Sequence, residues 1–102
     1  MTTKGYLIVE SKISDPVKYE VYKTLAQAAI AQYGGRYLVR GGAVEILEGK
    51  WTTPPRLVVV EFDSVDHAKA FYHSAEYQAA REVRLSVSEM NMLVVSGAES
   101  LV

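Results

Sequence analysis

Cysteine is absent from the 102 residues. That removes disulfides, thiolate zinc ligands and thiol nucleophiles together. An excess of one charge is also missing: eleven Lys and Arg face twelve Asp and Glu, a net charge of -1. Domains that bind polyanions usually carry a basic surplus, so no nucleic-acid partner is expected. No apolar run approaches the ~20 residues of a membrane span. Met1-Thr2-Thr3-Lys4 passes into a strand-like segment without the long apolar stretch of a secretory leader. These absences point to a cytoplasmic chain with no membrane partner. Low-complexity tracts, charge runs and solenoid-length repeats are missing as well.

What remains is ordinary for a soluble globular chain: 49% hydrophobic and 23% charged residues. The length predicts one domain over residues 1–102, burying roughly 60–70% of its unfolded surface.

Six main elements can be read. Tyr6-Leu7-Ile8-Val9 is a strand. Asp15 and Pro16 start a helix, as N-cap and first helical residue, and Val17, Val21, Tyr22, Leu25, Ala28 and Ala29 recur at helical spacing. Gly34-Gly35 ends it. Arg36–Arg40 forms a second strand; Gly41-Gly42 suggests a bulge or bend, with pairing resuming over Ala43–Glu48. Gly49–Pro55, with Trp51 and the Pro54-Pro55 pair, reads as a loop. Arg56–Phe62 is the clearest strand. Asp63-Ser64 caps a helix with Val65, Ala68, Phe71 and Tyr72 on its apolar side, and Ser74 caps a further short helix through Tyr77, Ala80 and Arg81. A last strand runs from about Val87 to Ser96.

The order β-α-β-β-α-β is the ferredoxin-like split βαβ arrangement, an α+β fold with a four-stranded antiparallel sheet. Right-handed crossovers put strands one and three in its middle. Helices cover one face. The other face needs an apolar partner, and the same face of a second copy supplies one. A homodimer is expected, its two sheets face to face as a dimeric α/β barrel.

Several strings carry a family resemblance: Gly34-Gly35-Arg36-Tyr37-Leu38-Val39-Arg40-Gly41-Gly42, Glu48-Gly49-Lys50-Trp51, Glu61-Phe62, and Ser74-Ala75-Glu76-Tyr77 followed by Arg84. In combination, from Tyr6 to Gly97, they resemble the domain of unknown function 1330 family of the dimeric α/β-barrel superfamily. The resemblance implies the same fold and dimer, and a pocket between sheet and helices in each subunit. It implies no reaction. Relatives in the superfamily include cofactor-free monooxygenases, haem-degrading enzymes, lactone isomerases and stress proteins, and function follows the site rather than the fold.

Arginines are the first candidates for that pocket. Arg36 and Arg40, four apart on one strand, are expected on one face. Arg56 opens the neighbouring strand and Arg84 precedes the last. Converging guanidiniums suit a carboxylate, phosphate or enolate; the plainer reading pairs each with a protein carboxylate such as Glu48 or Glu61. Tyr22 on the buried stripe and Tyr72 near the second helix are candidate ligand contacts or ordinary core. Trp51 is a dimer contact or a lid. For proton transfer the candidates are Glu48, Glu61 and Tyr22. A carboxylate among apolar residues has a raised pKa, whereas one beside an arginine is locked ionised. His67 and His73, six apart, point about 120° from each other and make no shared metal face. No metal and no cofactor is expected. Three functions stay open: a cofactor-independent enzyme acting on an anionic or aromatic organic compound, a non-catalytic ligand-binding dimer, and a protein-interaction dimer.

Overall fold

The alternation of the strands is what builds the sheet. In the computed structural model, which describes residues 3–51 and 56–99, β1 (Gly5–Ile13) buries Leu7, Val9 and Ser11 on one side and turns Tyr6, Ile8, Glu10 and Lys12 to the other. β2 (Arg36–Arg40), β3 (Arg56–Phe62) and β4 (Ser88–Ser96) complete a four-stranded sheet in the order β2-β3-β1-β4, every neighbouring pair antiparallel. Strands one and three are central, as expected.

Three helices cover one face: α1 (Pro16–Gln32), α2 (Val65–His73) and α3 (Ala75–Arg84). The side chain of Asp15 accepts the Lys18 N–H at 3.1 Å and Pro16 opens α1. Gly34, at φ +77°, turns the chain out of the helix, and the Gly35 N–H closes on the Ile30 carbonyl at 2.8 Å. Ser64 caps α2. Ser74 makes the corner between α2 and α3: its hydroxyl donates to the Phe71 carbonyl (2.6 Å) and accepts from the Tyr77 N–H (3.1 Å). Glu76, in the first turn of α3, accepts from Gln32 and Tyr33 and so ties α3 to the end of α1.

The core lies between helices and sheet. Phe62, Phe71 and Tyr77 stack in sequence, with ring centroids 5.3 and 4.8 Å apart, all fully buried. Truncating Phe62 or Phe71 to alanine removes about 3–5 kcal/mol, a large part of a typical domain stability of about 5–15 kcal/mol.

Three expectations fail here. α1 buries Tyr19, Tyr22, Ala26, Ala29 and Ile30. Val17 (81% exposed), Val21 (55%) and Leu25 (41%) form a stripe on its outer side instead of facing the core. Residues 43–48 form no strand. The β2–β3 register ends at Arg40 opposite Val58, and the Gly41 N–H takes the Leu57 carbonyl (2.8 Å); β3 then has only Arg56 left to offer. The irregularity in β2 also sits at Leu38, between Tyr37 and Val39, and not at Gly41-Gly42. The Pro54-Pro55 pair lies outside the described residues.

Candidate functional site

The extra residue at Leu38 reverses the alternation of β2. Arg36 pairs across from Glu61 on the open face, whereas Arg40 pairs across from Val58 on the helix-covered face. The two arginines therefore lie on opposite sides of the sheet, contrary to the same-face expectation.

On the open face Arg36 is paired with a carboxylate. Its Nε donates to Glu61 Oε1 at 3.1 Å and its Nη2 to the same oxygen, while the Tyr6 hydroxyl donates to Oε2 at 2.9 Å. These bonds, Arg36 first and Tyr6 second, hold the Glu61 carboxyl below its ordinary range. Glu61 is thus the arginine-locked carboxylate and not a base of raised pKa. Beside this row runs an apolar one across all four strands, Val39, Val59, Ile8 and Leu93.

Beneath the helices the remaining arginines find aromatic rings instead of carboxylates. Arg40 lies 4.4 Å from the Tyr37 ring centre, Arg56 5.7 Å from Tyr19, and Arg84 5.9 Å from Tyr22. Among the described residues none of the three has an acidic group within ion-pair distance. Arg84, the last residue of α3, is 7% exposed, and its Nε donates to the Tyr77 hydroxyl at 3.2 Å. Burial alone would depress the Arg84 guanidinium, but the Tyr77 bond and the surrounding phenols outweigh it and keep it charged. The Tyr77 and Tyr22 hydroxyls meet at 3.0 Å. Burial, then the Tyr77 phenol, pushes Tyr22 far above the ordinary phenol range, so it is a neutral donor rather than a base. Arginine can only donate. Whichever phenol donates to the other, one hydroxyl proton of the pair has no acceptor among the described residues.

Two hollows adjoin this chain of groups. Tyr22, Arg40 and Arg56 line a cavity of about 40 Å³, room for little more than a water. Arg84 and Tyr72 line an open cleft of about 750 Å³ between α2–α3 and the edge strand β4, which Lys69, His73 and Arg81 share. Met90 and Met92 form a wall common to both hollows. Arg81 Nε is buried there without a hydrogen-bond partner. Trp51 and Glu48 lie elsewhere, in a separate hollow of about 340 Å³ in the exposed Gly41–Trp51 loop beside Leu57. The three candidate proton movers, Glu48, Glu61 and Tyr22, therefore occupy three different places.

Sequence reasoning missed Arg81 and the two methionines. Arg81 stands three residues before Arg84 on one helix, a spacing that places both on one side, and this was the available signal. Among the described residues no group of three or more acidic and histidine side chains could hold a metal ion, and no helix is long and apolar enough to cross a membrane.

Comparison with known proteins places this geometry. A family model described as a domain of unknown function, DUF1330, matches residues 4–98. No curated protein matches the chain in sequence. Among solved structures, a protein of unknown function from Rhodopseudomonas palustris superposes with a TM-score of 0.75 at 13% identity, covering 98% of this chain and 86% of that one. SnoaB, a cofactor-independent oxygenase from Streptomyces nogalater, gives 0.69 at 10% identity, with 98% of both chains covered. A dimeric protein of ferredoxin-like fold from Bacteroides fragilis gives 0.62 at 16% identity over 92% of this chain and 96% of that one. At such identities the likeness is one of fold.

Proposed function

The chain belongs to the DUF1330 family, and from that premise we propose that it is a cytoplasmic homodimer in which each subunit binds an organic anion with an apolar body in the cleft between α2–α3 and β4. One observation carries the reading. Two arginines, Arg81 and Arg84, border a roomy cleft with no carboxylate at ion-pair distance among the described residues, and Arg81 Nε is buried there without a hydrogen-bond partner among them. A buried cation without a counter-ion is costly, and an incoming carboxylate removes that cost through charge-assisted hydrogen bonds. The apolar part of the lining, Met90, Met92 and Leu7 from the sheet and Tyr72 from α2, suits an aromatic or alkyl body. The volume lies within the range of small-molecule sites, about 300–1,000 Å³. The apolar row on the open face and the dimeric ferredoxin-like neighbour support the dimer.

Calorimetry with biphenyl-4-carboxylate and decanoate tests this. Both bind the wild type, and their uncharged methyl esters bind at least tenfold more weakly, since a hydrogen bond to a charged group contributes about 1.5–3 kcal/mol. Arg84→Gln, or Arg81→Gln should the former fold poorly, erases the difference between acid and ester. Equal binding of acid and ester by the wild type overturns the reading.

A catalytic reading draws on the unassigned phenol proton of the Tyr22–Tyr77 pair, a preorganised donor for an oxyanion forming on a compound that reaches the small cavity both phenols line. The cofactor-independent oxygenase among the fold neighbours supports it. It requires turnover of the bound compound, slowed in Tyr22→Phe at unchanged affinity.

A further inference from the structure

The small cavity and the cleft are separated by side chains and not by backbone. Their shared lining is Leu7, Met90 and Met92, all projecting from the helix-covered face of the sheet. Methionine has three rotatable bonds and repacks at little cost. Each side of this partition ends in guanidiniums that lack carboxylate partners among the described residues: Arg81 and Arg84 at the β4 end, Arg40 and Arg56 at the β2 end.

The ground between them is continuous. Arg56 lies over Tyr19, the Tyr19 ring is 5.1 Å from Tyr22, and Tyr22 carries Arg84 on its far side. Along the register, Arg56, Ser11 and Met90 form one row across β3, β1 and β4, and Arg40, Val58, Val9 and Met92 form the next. Ser11 is 5% exposed, beside the Tyr19 phenol, and its hydroxyl has no hydrogen-bond partner within 3.5 Å among the described residues. A buried hydroxyl in that condition beside an arginine marks a place for an oxyanion or a water. The other cation at this end, Lys23, is already bonded to Glu20 at 3.2 Å. Gly41, at φ +70°, leaves room for the Arg56 side chain, because a Cβ there would stand 3.0 Å from Arg56 Nε.

We infer that the two hollows are the ends of one site, opened by rotation of Met90 and Met92, and that its ligand is an elongated dianion: two carboxylate-like groups joined by an apolar spacer, one end at Arg81–Arg84 and the other at Arg40–Arg56. This rests on the proposed function and narrows it to a ligand class. Adjacent strands are about 4.8 Å apart, so the two anionic ends lie roughly two to three strand spacings from each other across the sheet. A short diacid cannot reach both.

The test compares decanedioate with decanoate, and biphenyl-4,4′-dicarboxylate with biphenyl-4-carboxylate, by calorimetry on the wild type and on Arg56→Gln and Arg40→Gln. Within at least one pair the diacid binds at least tenfold more tightly than the monoacid. Either substitution at the β2 end removes that advantage and leaves monoacid affinity unchanged; Arg84→Gln weakens both acids. Hexanedioate, the short control, gains nothing over hexanoate. If the monoacids bind through Arg84 and the diacids gain nothing, the dianion inference fails and the proposed function stands. If neither acid of either pair binds, the proposed function falls and the inference with it. A diacid advantage that survives both Arg56→Gln and Arg40→Gln assigns the second anionic group to another place and also overturns it.

Discussion

Glu61 holds its proton less tightly in the folded chain than in the unfolded one. Arg36 and Tyr6 donate to its two oxygens, and the folded carboxyl titrates below its ordinary 4.5. The native state therefore prefers the ionised form. The resulting stability is complete above about pH 4.5 and is lost as pH falls through the depressed folded value. Replacing the acid by its amide removes that dependence. In urea titrations from pH 7 to pH 3, Glu61→Gln lowers the midpoint at pH 7 and loses less of it on acidification than the wild type does. Parallel pH profiles for the two proteins would dismiss the ion pair as a contributor. Tyr22 follows the opposite logic: burial keeps its phenol neutral, and its use is as a donor.

At the scale of elements, α1 separates what sequence shows from what packing decides. Its existence and both ends were legible, because Asp15-Pro16 and Gly34-Gly35 act locally. Its inward side was not. Val17, Val21 and Leu25 and the set Tyr19, Tyr22, Ala26, Ala29 and Ile30 are two apolar stripes on one helix. Tyrosine enters the core here because its hydroxyl finds a partner in Tyr77. The distinction is measurable. Leu25→Lys changes stability by less than about 0.5 kcal/mol, as an exposed substitution. Ala26→Leu, pressed into the packed side, costs about 1–3 kcal/mol. Denaturant midpoints of the two variants decide which stripe is inside; a large loss from Leu25→Lys and none from Ala26→Leu would reverse the assignment. The strand order was legible by another route, since right-handed crossovers in the order β-α-β-β-α-β put β1 and β3 in the middle. The candidate site was legible in its residue types and not in its grouping. Arg84 and Tyr72 come together, Tyr22, Arg40 and Arg56 come together, and Arg36, Glu48 and Trp51 stand apart. Grouping depends on register, and register is a property of strand pairs.

For the whole molecule, the row Val39, Val59, Ile8 and Leu93 is apolar across the full width of the sheet, and the row next to it neutralises its own charges through Arg36 and Glu61. These two rows can be buried against a second copy without stranding a charge. In the proposed dimer, Leu93→Glu sets two carboxylates into that contact. Sedimentation at micromolar concentration then finds mass near 11.3 kDa for the variant and near twice that for the wild type. A wild type that sediments at 11.3 kDa ends the dimer proposal. The bulge at Leu38 decides what such an assembly can do. Five residues of β2 span the distance that four residues of β3 span, so every side chain past Leu38 changes compartment. A regular pairing of the same five residues would instead set Arg40 opposite Leu57 on the open face and leave the small cavity with one arginine, Arg56. Which face of the sheet Arg36 and Arg40 each occupy is thus set by an odd count of residues, not by the chemistry of either one.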